Sequence, residues 1–135
     1  MVERAAALGL ARHVRFTGFL TGADVERMFA LADVYVMPSV SEPFGISPLE
    51  AMAQDVPVIV SRQSGVAEVL QSALKVDYFD VADLASKILA LLSRPALRQI
   101  LAAEGREELE RMRWEARAEL LRRVYLEVVP AGVAR

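Results

Sequence analysis

Two stretches decide the fold of this chain: Asp33-Val34-Tyr35-Val36-Met37-Pro38 and, farther along, Pro57-Val58-Ile59-Val60-Ser61. Both are apolar on the two faces that a strand presents, which is typical of strands buried in a parallel sheet. Residues 48–54 between them have a helical pattern, and weaker strands are predicted at residues 14–16 and 74–78. Strands that alternate with helices predict an α/β domain with a parallel sheet of about four strands and helices on both faces.

The C-terminal part of the sequence is predicted to be entirely helical. After Asp80, leucine, isoleucine and valine recur at helical spacing within residues 84–92, 97–101 and 121–128. We therefore expect a helical C-terminal tail, with residues 130–135 frayed at its end.

The composition limits the class of protein and the kind of site. The 135 residues suffice for one ordinary domain, and 16 basic against 18 acidic residues leave a net charge of −2. With this net charge the protein has no positive electrostatic field that would attract nucleic acid, so no nucleic-acid partner is expected. The absence of cysteine excludes a disulfide scaffold, a thiolate metal site and a cysteine nucleophile. No apolar run approaches the ~20 residues that cross a bilayer, and no signal peptide is recognisable, so we expect a cytoplasmic protein.

The loop after the first of the two deciding strands is the best candidate site, because ligands of open parallel sheets bind outside the carboxyl ends of the strands. It runs from Pro38 into a helix for which Ser47 is a natural N-cap residue. The backbone N–H groups of Gly45, Ile46 and Ser47 are expected to point outward at the start of this helix. That arrangement suits an anion, phosphate above all.

The same residues also have a purely structural interpretation. Ser47 and Glu50 have the spacing of a capping box, in which the glutamate bonds back to the N–H of the serine. Glu42 is then a solvated loop residue, and Phe44 closes the edge of the domain. The residues alone leave both interpretations open.

A family resemblance favours the first interpretation. The stretch Glu42-Pro43-Phe44-Gly45-Ile46-Ser47-Pro48-Leu49-Glu50-Ala51-Met52-Ala53 resembles the Glu-x7-Glu signature of retaining glycosyltransferases of group 1, or family 4, which have the GT-B fold. The flanking stretches Val14-Arg15-Phe16-Thr17-Gly18 and Val56-Pro57-Val58-Ile59-Val60-Ser61 agree with it. Trp114 falls where these enzymes often have a tryptophan before the last helix. The resemblance covers nearly the whole chain and implies a Rossmann-like, partial GT-B C-terminal domain.

The resemblance implies a role for each residue of the site. Glu42 would be catalytic, facing the donor sugar and supporting charge at the anomeric centre. Glu50 would accept hydrogen bonds from the ribose hydroxyls. The backbone around Gly45 would hold the diphosphate leaving group of a UDP-, GDP- or ADP-sugar. The other residues implied in donor binding are Phe44, Ile46, Ser47, Leu49, Ser64 and Gly65. No metal and no cofactor besides the donor is expected.

The sequence departs from the family at two points. Ser64-Gly65-Val66-Ala67-Glu68 has one glycine where the family usually has a pair, and Glu68 could equally be an ordinary first-turn residue of a helix. The acceptor-binding N-terminal domain, and the first two strands of the donor domain with their Arg and Lys, have no counterpart here. We therefore expect residues 1–135 to form a single incomplete, truncated domain that is inactive alone and needs that N-terminal domain or a separate subunit.

The absent strands also predict an open sheet edge. In the usual strand order they would separate residues 14–16 from residues 34–37, and an unpaired edge favours self-association, so a homodimer is one expected partner arrangement. The alternative function is a noncatalytic interaction or regulatory module, or a degenerate remnant that acts with a separate subunit. A receiver-like signalling domain fits poorly, because the predicted strands do not end in an acidic cluster. In a full enzyme, peripheral contact with the inner membrane is compatible with the sequence.

Overall fold

A parallel three-stranded sheet forms the centre of the protein. The computed structural model describes residues 1–128 of the 135. Strands β1 (Tyr35–Met37), β2 (Val58–Ser61) and β3 (Leu74–Val76) lie in the order β1-β2-β3. Tyr35 is opposite Val58 and Ile59 is opposite Leu74, all in parallel register. The predicted α/β class with a parallel sheet is confirmed.

Helices cover the two faces of the sheet, and the chain after the last strand is helical. Within the described residues they are α1 (Val2–Ala7), α2 (Ala23–Ala30), α3 (Ser47–Ala53), α4 (Val66–Val69), α5 (Val81–Ser93), α6 (Pro95–Arg111) and α7 (Trp114–Val128). Helices α3 and α4 pack on β2 from one side, and α5 packs on β2 and β3. The predicted helical C-terminal part is confirmed up to residue 128, and the expected fraying of residues 130–135 lies outside the described residues.

The central strand β2 explains the sequence pattern that predicted the sheet. Its residues are all buried. Val58 and Val60 belong to the apolar cluster that contains α3 and α4, whereas Ile59 packs with Leu91 of α5 and with Val76. Because both faces of β2 are covered, every residue of the strand must be able to lie in a core. The run is therefore continuously apolar instead of alternating.

The strand predicted at residues 14–16 is wrong: the described part of the sheet has three strands, not four. The segment has no strand beside it, and its polar groups bond locally instead. The Val14 N–H donates to the carbonyl of Leu10 at 3.1 Å, and the Arg15 guanidinium donates to the carbonyl of Arg12 at 3.2 Å. Phe16 remains 53% exposed. A triplet of Val, Arg and Phe without a ladder partner has nothing to hold it extended.

Strand β1 lies at the edge of the sheet. It pairs with β2 on one side, and on the other side no strand of residues 1–128 lies against it. The open edge expected from the sequence is therefore present in the described structure.

A buried carboxylate joins α6 to the segment between α4 and β3. Glu108 accepts hydrogen bonds from the backbone N–H of Gln71 at 2.7 Å and of Ser72 at 3.0 Å, and from the Ser72 hydroxyl at 2.5 Å. Burial by itself raises the pKa of Glu108, but these three hydrogen bonds, with the nearby charge of Arg111, outweigh burial and leave the pKa below its ordinary value. The carboxylate thus holds α6 against the layer that carries α3.

Candidate functional site

The candidate site lies at the edge of the sheet where β1 and β2 end. The Ser61 hydroxyl, at the last residue of β2, donates to the carbonyl of Ser39 at 2.6 Å, which ties the chain after β1 to the end of β2. The loops that follow the two strands, residues 38–46 and 62–65, therefore start from fixed neighbouring points. This is the edge at which ligands of open parallel sheets bind.

Two backbone hydrogen bonds join these loops farther out. The Gly65 N–H donates to the carbonyl of Glu42 at 2.9 Å, and the Val66 N–H donates to the carbonyl of Phe44 at 2.8 Å. Glu42 and Ser64 form an isolated parallel bridge. The structure thus brings Glu42, Phe44, Ser64 and Gly65 together, although their two loops are separated by α3 and β2 in the sequence.

Both glycines of the site occupy positions that other residues would fit poorly. A Cβ at Gly65 would lie 2.0 Å from the carbonyl oxygen of Pro43, so only glycine permits the loops to touch here. Gly45 has φ +92°, and a Cβ there would lie 2.8 Å from Cε of Met37 and 3.1 Å from Cγ of Glu42. The backbone of Gly45 therefore lies directly against the stem of the Glu42 side chain.

The expected N-cap role of Ser47 is wrong. The helix begins at Ser47 itself, with Ile46 as the N-cap residue and no side-chain cap. The Ser47 hydroxyl accepts a hydrogen bond of 2.7 Å from the Tyr35 hydroxyl of β1, a tertiary contact that holds it away from the helix end. The capping box does not form either, and the Glu50 side chain is exposed.

The backbone N–H groups at this helix start have no acceptor. Within residues 1–128, the N–H groups of Gly45, Ile46 and Ser47 donate to no other group, whereas those of Leu49 and Glu50 donate to the carbonyl of Ile46. Three neighbouring donors are therefore free to bind an anion.

The two glutamates of the signature occupy different parts of the surface. Glu42 is half-buried in the loop junction, whereas Glu50 lies on α3 and lines a groove of about 300 Å³ between α3 and α2. Gly22, Val25 and Phe29 form the α2 side of that groove. The free N–H groups of residues 45–47 lie between the two glutamates along the chain.

Ser64 has a different environment from the other predicted site residues. It is 1% exposed, and its hydroxyl donates to the carbonyl of Ser61 at 2.7 Å. Its side chain therefore stabilises the turn after β2, while its neighbour Gly65 makes the contact with the loop of Glu42.

The remaining predicted residues, Phe44, Ile46 and Leu49, line a second groove of about 540 Å³. Its other wall includes Trp114 and Arg117 at the start of α7. The sequence analysis singled out Trp114 but missed Arg117. Trp114 and Arg117 are three residues apart, and this spacing, which places two side chains on one face of a helix, could have indicated that Arg117 lies beside Trp114.

A polar cluster at the ends of β2 and β3 was also missed. Asp77 accepts a hydrogen bond from the Gln63 side chain at 3.0 Å, and its carboxylate lies 3.9 Å from Nε of Arg62. These groups are exposed, so the ion pair contributes little to stability. They place one basic side chain at the same edge of the sheet as the loop junction.

The part of the chain that the structure describes has neither a cluster of metal ligands nor a membrane-spanning helix. Residues 1–128 contain no group of three His, Cys, Asp or Glu side chains arranged to hold a metal ion. None of the helices among them is long and apolar enough to span a membrane.

The fold and the site together define an α/β domain in which the loops after two adjacent parallel strands meet at one edge of the sheet. The chain belongs to the family described as glycosyl transferases group 1, whose profile matches residues 1–108. The family is one of transferases, as the resemblance of the Glu42 to Glu50 stretch predicted.

Individual relatives agree with this family. The chain is 36% identical over 134 residues to the phosphatidyl-myo-inositol mannosyltransferase of Mycobacterium leprae, covering 96% of this chain and 36% of that protein. It is 35% identical over 107 residues to the sulfoquinovosyl transferase of Arabidopsis thaliana, covering 75% of this chain and 21% of that protein. Sucrose-phosphate synthase from Thermosynechococcus elongatus superimposes with a TM-score of 0.79 at 32% identity, over 93% of this chain and 33% of that chain. The chain thus spans about a third or less of the length of these relatives.

Proposed function

We propose that this chain is the donor-binding part of a retaining glycosyltransferase, which moves a sugar from a nucleotide-diphosphate donor to an acceptor. The observation that carries the proposal is the pair of backbone hydrogen bonds from Gly65 and Val66 to the loop of Glu42. They hold a carboxylate beside free backbone donors at the carboxyl edge of a parallel sheet. That is a suitable place for a sugar and its phosphate leaving group.

In this proposal, each part of the site binds a different part of the donor. The N–H groups of Gly45, Ile46 and Ser47 donate hydrogen bonds to the diphosphate, on which negative charge increases as the glycosidic bond to phosphate breaks. The Glu42 carboxylate faces the sugar and stabilises positive charge at the anomeric carbon. Glu50 accepts hydrogen bonds from the ribose, which then lies in the groove between α2 and α3.

The identity of the donor is also part of the proposal. A UDP-, GDP- or ADP-sugar fits the site. No metal is required, because backbone N–H groups of this chain, with the basic side chains of the first two strands of the donor domain, stabilise the charge of the phosphates. One structural neighbour, Anabaena HepE, was solved in complex with UDP, and its likeness to this chain, with a TM-score of 0.76 at 24% identity, is a likeness of fold.

In this proposal, an N-terminal domain or a separate subunit binds the acceptor and completes the active site. Relatives about three times as long support a second lobe, supplied by an N-terminal domain or a separate subunit, without which residues 1–135 are inactive. We place the full enzyme in the cytoplasm, with peripheral contact to the inner membrane.

The second candidate function is a noncatalytic interaction or regulatory module. The open edge of β1 favours it, because an unpaired strand can pair with another polypeptide. In that case the chain binds its partner and has no measurable affinity for nucleotides.

A nucleotide titration separates the two functions. We expect isothermal calorimetry with UDP, GDP, ADP and CDP to show saturable binding of one of them. Glu50→Gln should weaken that binding about tenfold, because a carboxylate that accepts ribose hydroxyls is lost, and hydrogen bonds to charged groups contribute ~1.5–3 kcal/mol.

Glu104→Gln is the matched control, since Glu104 is an exposed glutamate on α6, outside the groove that Glu50 lines. It should bind the nucleotide as the unchanged chain does. A folded chain that binds none of the four nucleotides would contradict the donor-binding function and favour the interaction module.

A further inference from the structure

The groove between the loop after β1 and the start of α7 is mainly apolar. Its volume is about 540 Å³, within the range of sites that hold small organic ligands. The walls are formed by Phe44, Ile46, Leu49, Val69 and Trp114, with Arg117 as the charged group. A groove with this lining favours a ligand with an apolar body and a single charge.

The groove exposes large apolar side chains on two of its walls. Trp114 is 87% exposed and Ile46 is 66% exposed. The two residues lie in different elements but line the same groove. Contiguous apolar surface of this kind marks binding sites more often than isolated exposed residues do.

The basic residue of the groove is available to a ligand. Elsewhere in this region the arginines are paired: Arg113 bonds to Glu110 at 2.9 Å, and Arg122 bonds to Glu119 at 2.9 Å. Among the described residues, Arg117 has no carboxylate partner and donates no side-chain hydrogen bond. Its guanidinium can therefore bind an anion without breaking an existing ion pair.

We propose that this groove binds an anionic amphiphile, with the apolar chain against Trp114 and Ile46 and the negative charge on Arg117. Burial of the apolar chain supplies the affinity, and the guanidinium selects the anionic headgroup.

The groove lies beside the loop of Glu42. Phe44 lines the groove, and its carbonyl accepts one of the two hydrogen bonds that hold the loop of Glu42. A headgroup in the groove is thus beside the loop that we assign to the donor sugar. The binding of the amphiphile does not depend on the proposed transferase function.

The chain contains a built-in probe for the test, because Trp114 is its single tryptophan. We expect dodecyl phosphate, titrated below its micelle concentration, to shift the tryptophan emission to the blue with saturation. Neutral dodecyl maltoside should bind about tenfold more weakly, since it lacks a charge for Arg117. Arg117→Gln should remove this preference.

Arg122→Gln, on the same helix but outside the groove, should keep the preference, and so should Leu126→Ser, which removes an exposed leucine elsewhere on α7. The inference is overturned if dodecyl phosphate gives no saturable shift, if the two amphiphiles bind equally, or if Arg117→Gln behaves like Arg122→Gln. Saturable amphiphile binding by a chain that binds no nucleotide would support the groove and contradict only the transferase function.

Discussion

At Gly65, two loops meet with no room for a side chain. Alanine there would place its Cβ 2.0 Å from the carbonyl oxygen of Pro43, so the loops must separate and the hydrogen bond from Gly65 to Glu42 must lengthen or break. We expect Gly65→Ala to lower the free energy of unfolding by about 1–3 kcal/mol, the usual cost of overpacking. The same variant should weaken nucleotide binding more than Glu50→Gln does, because it displaces the whole loop.

Gly105→Ala is the matched control for this prediction. Its Cβ would meet Cε of Met52 at 3.0 Å, which is the end of a flexible side chain, and alanine is favoured over glycine in the middle of α6. Urea unfolding should give a stability within about 1 kcal/mol of the unchanged chain. Equal stabilities for the two variants would show that the loop contact at Gly65 does not constrain the fold.

The residues of the site differ in how far the sequence could predict them. Glu42 and Gly65 could be expected to meet, since each follows a predicted parallel strand, and the carboxyl ends of such strands share an edge. The hydrogen bond of the Ser47 side chain could not be predicted from the neighbouring sequence. Its hydroxyl bonds to Tyr35, which lies on another element, and a local capping rule contains no information about such a contact.

At the scale of the elements, Glu108 makes the stability of the α6 packing depend on pH. Its folded pKa lies below the ordinary value of 4.5, because three hydrogen bonds and a nearby arginine outweigh burial. The carboxylate therefore contributes its full stabilisation above the ordinary pKa, and this contribution is lost as the pH falls through the folded pKa. We expect urea unfolding between pH 7 and pH 3 to show a loss of stability below about pH 4.5.

Glu108→Gln should lower the free energy of unfolding by about 1–3 kcal/mol at pH 7, because an amide nitrogen replaces one of the two oxygens that accept from Gln71 and Ser72 and cannot accept a hydrogen bond there. Near pH 3 the variant and the unchanged chain should differ much less. Glu107→Gln, at an exposed site with an i,i+4 ion pair to Arg111, should change little at either pH. A Glu108→Gln chain with the same stability loss at pH 3 as at pH 7 would contradict the assignment.

The helices and strands that are buried were easier to predict from the sequence than the exposed segments. Strand β2 is covered on both faces, and its apolar run predicted it. Residues 14–16 have an apolar residue on each side of an arginine and no neighbouring strand, and the sequence of a triplet cannot reveal whether a partner lies beside it.

At the scale of the whole molecule, the two edges of the sheet differ in their chemistry. The Tyr35 N–H donates to the carbonyl of Pro57, the residue just before β2, so the alternation of a parallel ladder turns the N–H of Val36 toward the open edge. On the opposite edge, the equivalent residue is Lys75 in β3. Lys75 lies opposite Val60 in the parallel register, and its backbone N–H points toward the open side of β3. A lysine discourages edge-to-edge pairing, whereas valine does not. Self-association should therefore occur through β1.

We expect sedimentation velocity at about 1 to 100 µM to show concentration-dependent dimers, the range in which weak interfaces populate. Val36→Pro should shift the chain toward monomer, since proline removes the outward N–H while the bonds from Tyr35 and Met37 to β2 are kept. Lys75→Pro removes the equivalent N–H from the other edge and should leave the dimer unchanged. Equal effects of the two prolines, or a monomer throughout, would contradict pairing through β1. The first two strands of the donor domain are expected to occupy the same edge. A polypeptide that supplies them should therefore dissociate the dimer, so self-association and completion of the donor domain compete for one strand.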